Sequence, residues 1–171
     1  MKNKINIAVV GLGQVGIYLL NELNIKKRDI ELKTGKRINV VAVSARSISK
    51  KRKFKFNKKI FYKNPLEIFN KVKVDILFEA IGLSDGISKK VVETALKKKI
   101  HVITPNKALI SKHGDYLAKL AEDSQVNLEF EASVAGGIPI LRSIKEGLAT
   151  NKISKIYGIL NGTSNYILSE M

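Results

Sequence analysis

Residues 5–16 read INIAVVGLGQVG. An apolar run of strand length enters glycines at 11, 13 and 16, and residues 14–23 then carry apolar side chains at helical spacing. A G-x-G-x-x-G pattern at a strand-to-helix junction has a mechanism. Gly11 permits a tight turn, Gly13 lets the backbone approach a pyrophosphate, and Gly16 lets the helix lie close to the sheet. The first amides of that helix, at Gln14 and Val15, face the same place, where a helix N-terminus attracts phosphate. The pattern also suits a glycine-rich turn that holds no ligand, so its surroundings must decide.

Outward from this turn, short apolar runs alternate with longer amphipathic ones, as in a parallel sheet covered by helices. Strands are predicted at 5–10, 38–44, 75–80, 101–104, 126–131 and 153–160, and helices at 14–23, 64–71, 87–98, 116–122 and 139–148. Asn64-Pro65 and Pro139 mark helix starts. Residues 29–37 read as an extension of the first helix with a turn at Gly35. The fold expected is α/β, a Rossmann-type doubly wound and mostly parallel sheet with helices on both faces. The last residues, 167–171, read as an amphipathic helix without a stop signal, so the chain is expected to continue in a longer protein.

Composition narrows the function. The 171 residues have 44% hydrophobic content and no cysteine, which fits one sizeable core and excludes disulfides, thiolate metal sites and a thiol nucleophile. No apolar run approaches the roughly 20 residues needed to cross a bilayer, and the short run after the basic MKNK start reads as a core strand rather than a leader. A cytoplasmic protein with no membrane partner is expected. The 31 basic against 15 acidic residues give a net charge of +16, which raises nucleic acid as a partner. The lysines are scattered, however, and the densest run, 50–59, interleaves Phe54 and Phe56 in what reads as a solvated loop with two buried aromatics. No specific nucleic-acid partner is expected.

Further candidates lie after the other strands. Where an NAD site presents an acid to the ribose, this chain has Ser44-Ala45-Arg46. A guanidinium pairs with a 2′-phosphate, so NADP is expected over NAD, with Lys50, Lys51 and Arg52 as assistants; a plain surface cation is the competing reading. The run DILFEAIG at 75–82 ends at Ile81-Gly82, where the backbone can pass close to a cofactor. Ser84-Asp85 reads as a helix cap. Lys107, in TPNK, stands at the crevice, where an ammonium can polarise a substrate carbonyl, although a lone lysine means little in so basic a chain. The run FEASVAGGIP, 130–139, offers the Glu131 carboxylate and exposed carbonyls that suit a hard cation; a strained turn explains the same residues.

Three stretches, TPNKALISKHGDYLAKLA (104–121), FEASVAGGIPILRSIKEGLATNKI (130–153) and GILNGTSNYIL (158–168), together with GLGQVG, resemble homoserine dehydrogenase over essentially the whole chain. The resemblance implies interconversion of L-homoserine and L-aspartate 4-semialdehyde with NADP or NAD, on the route to threonine and methionine. Lys107 matches the lysine of the family's TANK motif, beside nicotinamide and substrate. Glu131 with the carbonyls of Val134, Gly136 and Ile138 matches the family's monovalent cation site, taken as sodium. Residues 1–150 then form the nucleotide-binding domain. Residues 151–171 begin a catalytic and dimerisation region, with a homo-oligomer expected for the full-length protein and the family's downstream Asp and Lys expected beyond Met171. Pro105 and Leu83 depart from the family pattern, Leu83 in the turn near the nicotinamide. A different Rossmann amino-acid oxidoreductase and a non-enzymatic NADP-binding module remain as alternatives.

Overall fold

The computed structural model describes residues 3–48, 56–158 and 162–171. Lys50, Lys51, Arg52, Phe54 and the last residues of the strand predicted at 153–160 lie outside that set. Among the described residues six strands form one parallel sheet: β1 (Lys4–Val10), β2 (Arg37–Ser44), β3 (Phe61–Tyr62), β4 (Ile76–Glu79), β5 (His101–Ile103) and β6 (Leu128–Glu129). Their order is β3-β2-β1-β4-β5-β6. The chain runs outward from β1 in one direction, returns, and runs outward in the other. Connections therefore leave β1 and β4 on opposite faces and open a crevice beyond their carboxyl ends.

The central strand shows why the sheet is covered twice. Ala8 and Val10 enter a core with Ala42, Leu77, Val102 and the helices that follow β4 and β5, whereas Ile7 and Val9 enter a second core with Val43 and Leu20. Adjacent residues alternate between faces with the strand's period of two, and both faces are buried. Helices α1 (Gln14–Ile25) and α2 (Lys27–Thr34) follow β1. A 3-10 turn (Pro65–Glu67) capped by the Asn64 side chain leads into α3 (Ile68–Lys71). Then come α4 (Ile87–Lys97), α5 (Lys107–Asp123), α6 (Ile140–Arg142), whose end runs into a π turn (Ser143–Gly147), and α7 (Gly162–Glu170).

Several sequence expectations need correction. The extension of the first helix is a separate helix, α2, which ends at Gly35 with φ of 65°. Helix α5 begins at Lys107, not at 116, because the Asn106 side chain accepts the Leu109 amide at 3.2 Å and caps the helix. Leu109, Leu117 and Ala121 are its buried positions, while Ser111, Lys112 and Asp115 are exposed. The strand predicted at 126–131 shrinks to Leu128–Glu129, since a 3-10 turn (Glu131–Ser133) follows at once. Residues 153–158 form no strand; they are exposed and have no ladder partner. Strand β3 was not foreseen, because two residues carry no periodic signal.

Candidate cofactor site

The turn between β1 and α1 is pressed against the end of β4. The Ala80 amide donates to the Val10 carbonyl at 2.7 Å, and the Gly11 amide donates to the Ser44 carbonyl at 2.9 Å. Gly11 sits at φ 96°, and a Cβ there would overlap the Ala80 carbonyl and lie 2.7 Å from the Ile81 nitrogen. A Cβ on Gly16 would overlap the Gly11 carbonyl oxygen, so helix and turn touch backbone to backbone. Gly13 differs: nothing lies within 4 Å of where its Cβ would stand. The chain's own packing gives no reason for glycine there, whereas a phosphate lying on the backbone does. No side chain caps α1, so its first-turn amides are left for a ligand.

A cleft of about 500 Å³ opens over this turn. Its walls include Gly11, Leu12 and Gly13 after β1, residues 44–47 after β2, Lys63 after β3, and Ala80 and Ile81 after β4. The structure thus brings Gly11, Gly13, Arg46 and Ile81 together, with Gln14 and Val15 on the adjoining helix turn and Gly82, at φ 86°, next to Ile81. Arg46 and Lys63 line the same cleft, and among the described residues no carboxylate does. Lys63 was missed because its only structural cue is β3. Lys107 is not in the cleft wall. It is exposed at the first position of α5, after β5, on the same carboxyl edge of the sheet.

Two acidic residues shape the edge of this crevice, and the partners of neither were legible in the sequence. Glu79, the last residue of β4, is fully buried. Its Oε1 accepts from the Ile81 backbone amide at 2.8 Å and the Ser88 hydroxyl at 3.0 Å, its Oε2 accepts from the Thr104 hydroxyl at 2.7 Å, and the Asn106 side-chain Nδ2 donates to both at 3.3–3.4 Å. Asp85, read as a cap, instead joins the loop after β4 to α5 through Lys112 at 2.8 Å and His113 at 2.9 Å. The hydrogen bond from Lys112, then those from Ser84 and His113, hold its carboxyl well below the usual carboxylate range.

Glu131 occupies the far edge. Both of its oxygens accept amides at 3.0 Å, from Leu141 and Arg142, so the carboxylate holds the start of α6. Between them the backbone turns through Ala135 and Gly136, at φ 56° and 62°. The Ile138 carbonyl already accepts the Ile140 amide at 2.8 Å. Among the described residues no group of three His, Cys, Asp or Glu side chains gathers anywhere. A cation at this point would therefore rest on one carboxylate and backbone carbonyls, the donor set of a weakly held hard ion.

Strand order, glycine turn and cleft define a Rossmann-type domain that binds a nicotinamide dinucleotide. A family model described as "Homoserine dehydrogenase, NAD binding domain" matches residues 11–131, and one described as "Homoserine dehydrogenase" matches residues 139–171. The chain belongs to the homoserine dehydrogenase family. It is 40% identical over 167 residues to the homoserine dehydrogenase of Neisseria gonorrhoeae and 34% identical over 167 residues to that of Bacillus subtilis, in each case across 98% of this chain. The crystal structure of a homoserine dehydrogenase from Thiobacillus denitrificans superposes with a TM-score of 0.83 at 35% identity, covering 98% of this chain and 38% of that one. The chain spans 38% of the length of both curated relatives. No helix among the described residues is long and apolar enough to cross a membrane.

Proposed function

We propose that the protein containing this chain interconverts L-homoserine and L-aspartate 4-semialdehyde, with NADP(H) as the favoured cofactor, and that residues 1–150 supply the cofactor half of the site. The observation that carries the cofactor choice is the presence of Arg46 and Lys63 in one cleft wall that, among the described residues, has no carboxylate. Two cations after β2 and β3 suit a ribose 2′-phosphate, and no acid there would repel it. NAD fits the same cleft but leaves both cations without an anionic partner.

The bound nicotinamide supplies the hydride acceptor or donor. This chain's part is binding and field. The amides at the start of α1 hold the pyrophosphate, and the absent Cβ of Gly13 lets them reach it. The ammonium of Lys107, at the N-terminal end of α5, favours negative charge on the substrate oxygen as the carbonyl and alcohol interconvert. Residues 151–171 are read as the start of the catalytic and dimerisation region, supported by the family match over 139–171 and by the exposed Tyr157, Tyr166 and Leu168. A homo-oligomer is proposed on the same ground. Sodium is proposed between Glu131 and the carbonyls of Val134, Gly136 and Ile138, in addition to the carboxylate's hold on α6.

The test of cofactor choice is a titration of the full-length protein with NADPH and NADH. Arg46→Ala is expected to weaken NADPH about ten- to a hundred-fold, the worth of one charged hydrogen-bonded pair, and to leave NADH within about twofold. Equal loss for both cofactors overturns the reading. Turnover of homoserine with NADP tests the activity itself.

A further inference from the structure

Glu79 has a carboxyl group that neither cofactor binding nor the chemistry at Lys107 uses. It is fully buried, and all four of its donors are neutral. A buried carboxylate is costly unless its oxygens are well supplied with hydrogen bonds. The donors come from four places that the fold must bring to one point. The Ile81 amide belongs to the turn that leads to Gly82, Ser88 to α4, Thr104 to the end of β5, and Asn106 to the cap of α5, directly before Lys107. Asn106 extends the link in two directions. Its Nδ2 donates to the Leu83 carbonyl at 2.8 Å, and its own amide donates to the Thr104 hydroxyl at 3.0 Å.

We propose that Glu79 is a positioning residue for the reaction: through Asn106 and the Ile81 amide its carboxylate fixes Lys107 relative to the Gly82 turn. The proposal rests on the reading of Lys107 given above and adds a residue that acts through another. A carboxylate suits the place because both oxygens only accept. Glutamine would have nearly the same shape and one wrong atom. The Ile81 amide must keep an acceptor, so the carboxamide oxygen takes the Oε1 position and its NH2 takes that of Oε2. There it faces the Thr104 hydroxyl at 2.7 Å and the Asn106 NH2 at 3.3 Å, both donors to Oε2 in the wild type. Asn106 cannot escape by flipping, because its Oδ1 holds the Leu109 amide and its Nδ2 holds Leu83. The expected result is a displaced α5 start in an otherwise folded protein.

The experiment uses the full-length protein and measures thermal unfolding, NADPH affinity and steady-state kinetics. Glu79→Gln is expected to lower kcat about ten- to a hundred-fold, the cost of misplacing a reacting group, with NADPH affinity within about twofold of wild type. Asn106→Ser, which keeps a capping oxygen and loses the amide donor, is expected to reproduce that loss, and the double variant is expected to be no worse than either single one. Ser88→Ala removes a donor from the same carboxylate on the α4 side and is expected to leave kcat within about twofold. If Glu79→Gln fails to fold, Asn106→Ser carries the test. A wild-type kcat in Asn106→Ser, additive losses in the double variant, or an equal loss in Ser88→Ala would mean a merely structural carboxylate and overturn the proposal. Amide hydrogen exchange at residues 106–110 reads the same link without turnover. Faster exchange in Glu79→Gln supports the link, and unchanged exchange overturns it, whether or not the wild-type protein oxidises homoserine.

Discussion

At the scale of single residues, the glycines of one motif have different physical reasons, and substitution separates them. Gly11 combines φ of 96° with a backbone neighbour where a Cβ would stand, while Gly13 has a φ of −80° and open space. Gly11→Ala is expected to lower thermal stability by more than about 1 kcal/mol, because an L side chain strains at positive φ and the Ala80 backbone cannot yield. Gly13→Ala is expected to melt like wild type and to bind NADPH at least about tenfold more weakly, since its methyl group occupies the phosphate's place. Melting curves and cofactor titrations of the two variants check this pair. A destabilised Gly13→Ala would show that the turn, rather than the ligand, requires that glycine. The motif separates the three roles; the structure adds which glycine has a backbone neighbour where a Cβ would stand and which has none.

Elements are joined by carboxylates whose partners lie far along the chain. Asp85 ties the loop after β4 to α5, and its carboxyl is held below the ordinary range, chiefly by Lys112. A depressed folded pKa contributes stability above the unfolded value of about 3.9, and that stability is lost as pH falls through the folded value. Asp85→Asn is therefore expected to lower the melting temperature slightly at pH 7 and at least as much at pH 5, with the difference shrinking only below about pH 4. A difference already gone at pH 5 would contradict the tether. The exposed setting of Asp85 and Lys112 keeps the effect small. Glu131 joins the segment after β6 to α6 by two amides. Glu131→Ala is expected to cost about 0.5–2 kcal/mol as a lost cap, measured by denaturant unfolding. If sodium binds there too, wild-type stability should be higher in sodium chloride than in choline chloride, and the variant should show no such difference. Wild-type stability independent of the cation would leave Glu131 as a cap alone.

Over the whole molecule, the buried core ends with the sheet. The large hydrophobic residues Ile138, Ile156, Tyr157, Ile167 and Leu168 are all more than half exposed. Exposed apolar surface of this kind marks a contact face, and the chain spans 38% of the length of its curated relatives. A protein made of these 171 residues is expected to bind NADPH in the cleft over Gly13, to self-associate through residues 138–171, and to show no measurable oxidation of homoserine. Among the described residues, the cleft over Gly13 is lined by no carboxylate that could pair with a substrate ammonium. Light scattering, cofactor titration and NADPH formation check the three parts. Turnover near that of the full-length protein would relocate the catalytic apparatus into this segment.

Local chemistry was enough to determine much of this protein. The apolar run at 5–10 entering Gly11 specifies a strand, a turn and an anion-seeking helix, because φ at Gly11 and free amides at Gln14 and Val15 are properties of neighbouring residues. Alternation of apolar runs and amphipathic stretches specifies a parallel α/β sheet. The tertiary structure decided what depends on distant partners. Sheet order put Lys63 in the same cleft wall as Arg46 through β3, whose two residues are held by β2 rather than by any pattern of their own. Ladder pairing shortened β6 and gave residues 153–158 no strand, since a strand exists only where an edge receives it. The start of α5 and the role of Glu79 were fixed together, because a carboxylate can be buried only where donors from Ile81, Ser88, Thr104 and Asn106 converge on it, and convergence is a property of the folded chain.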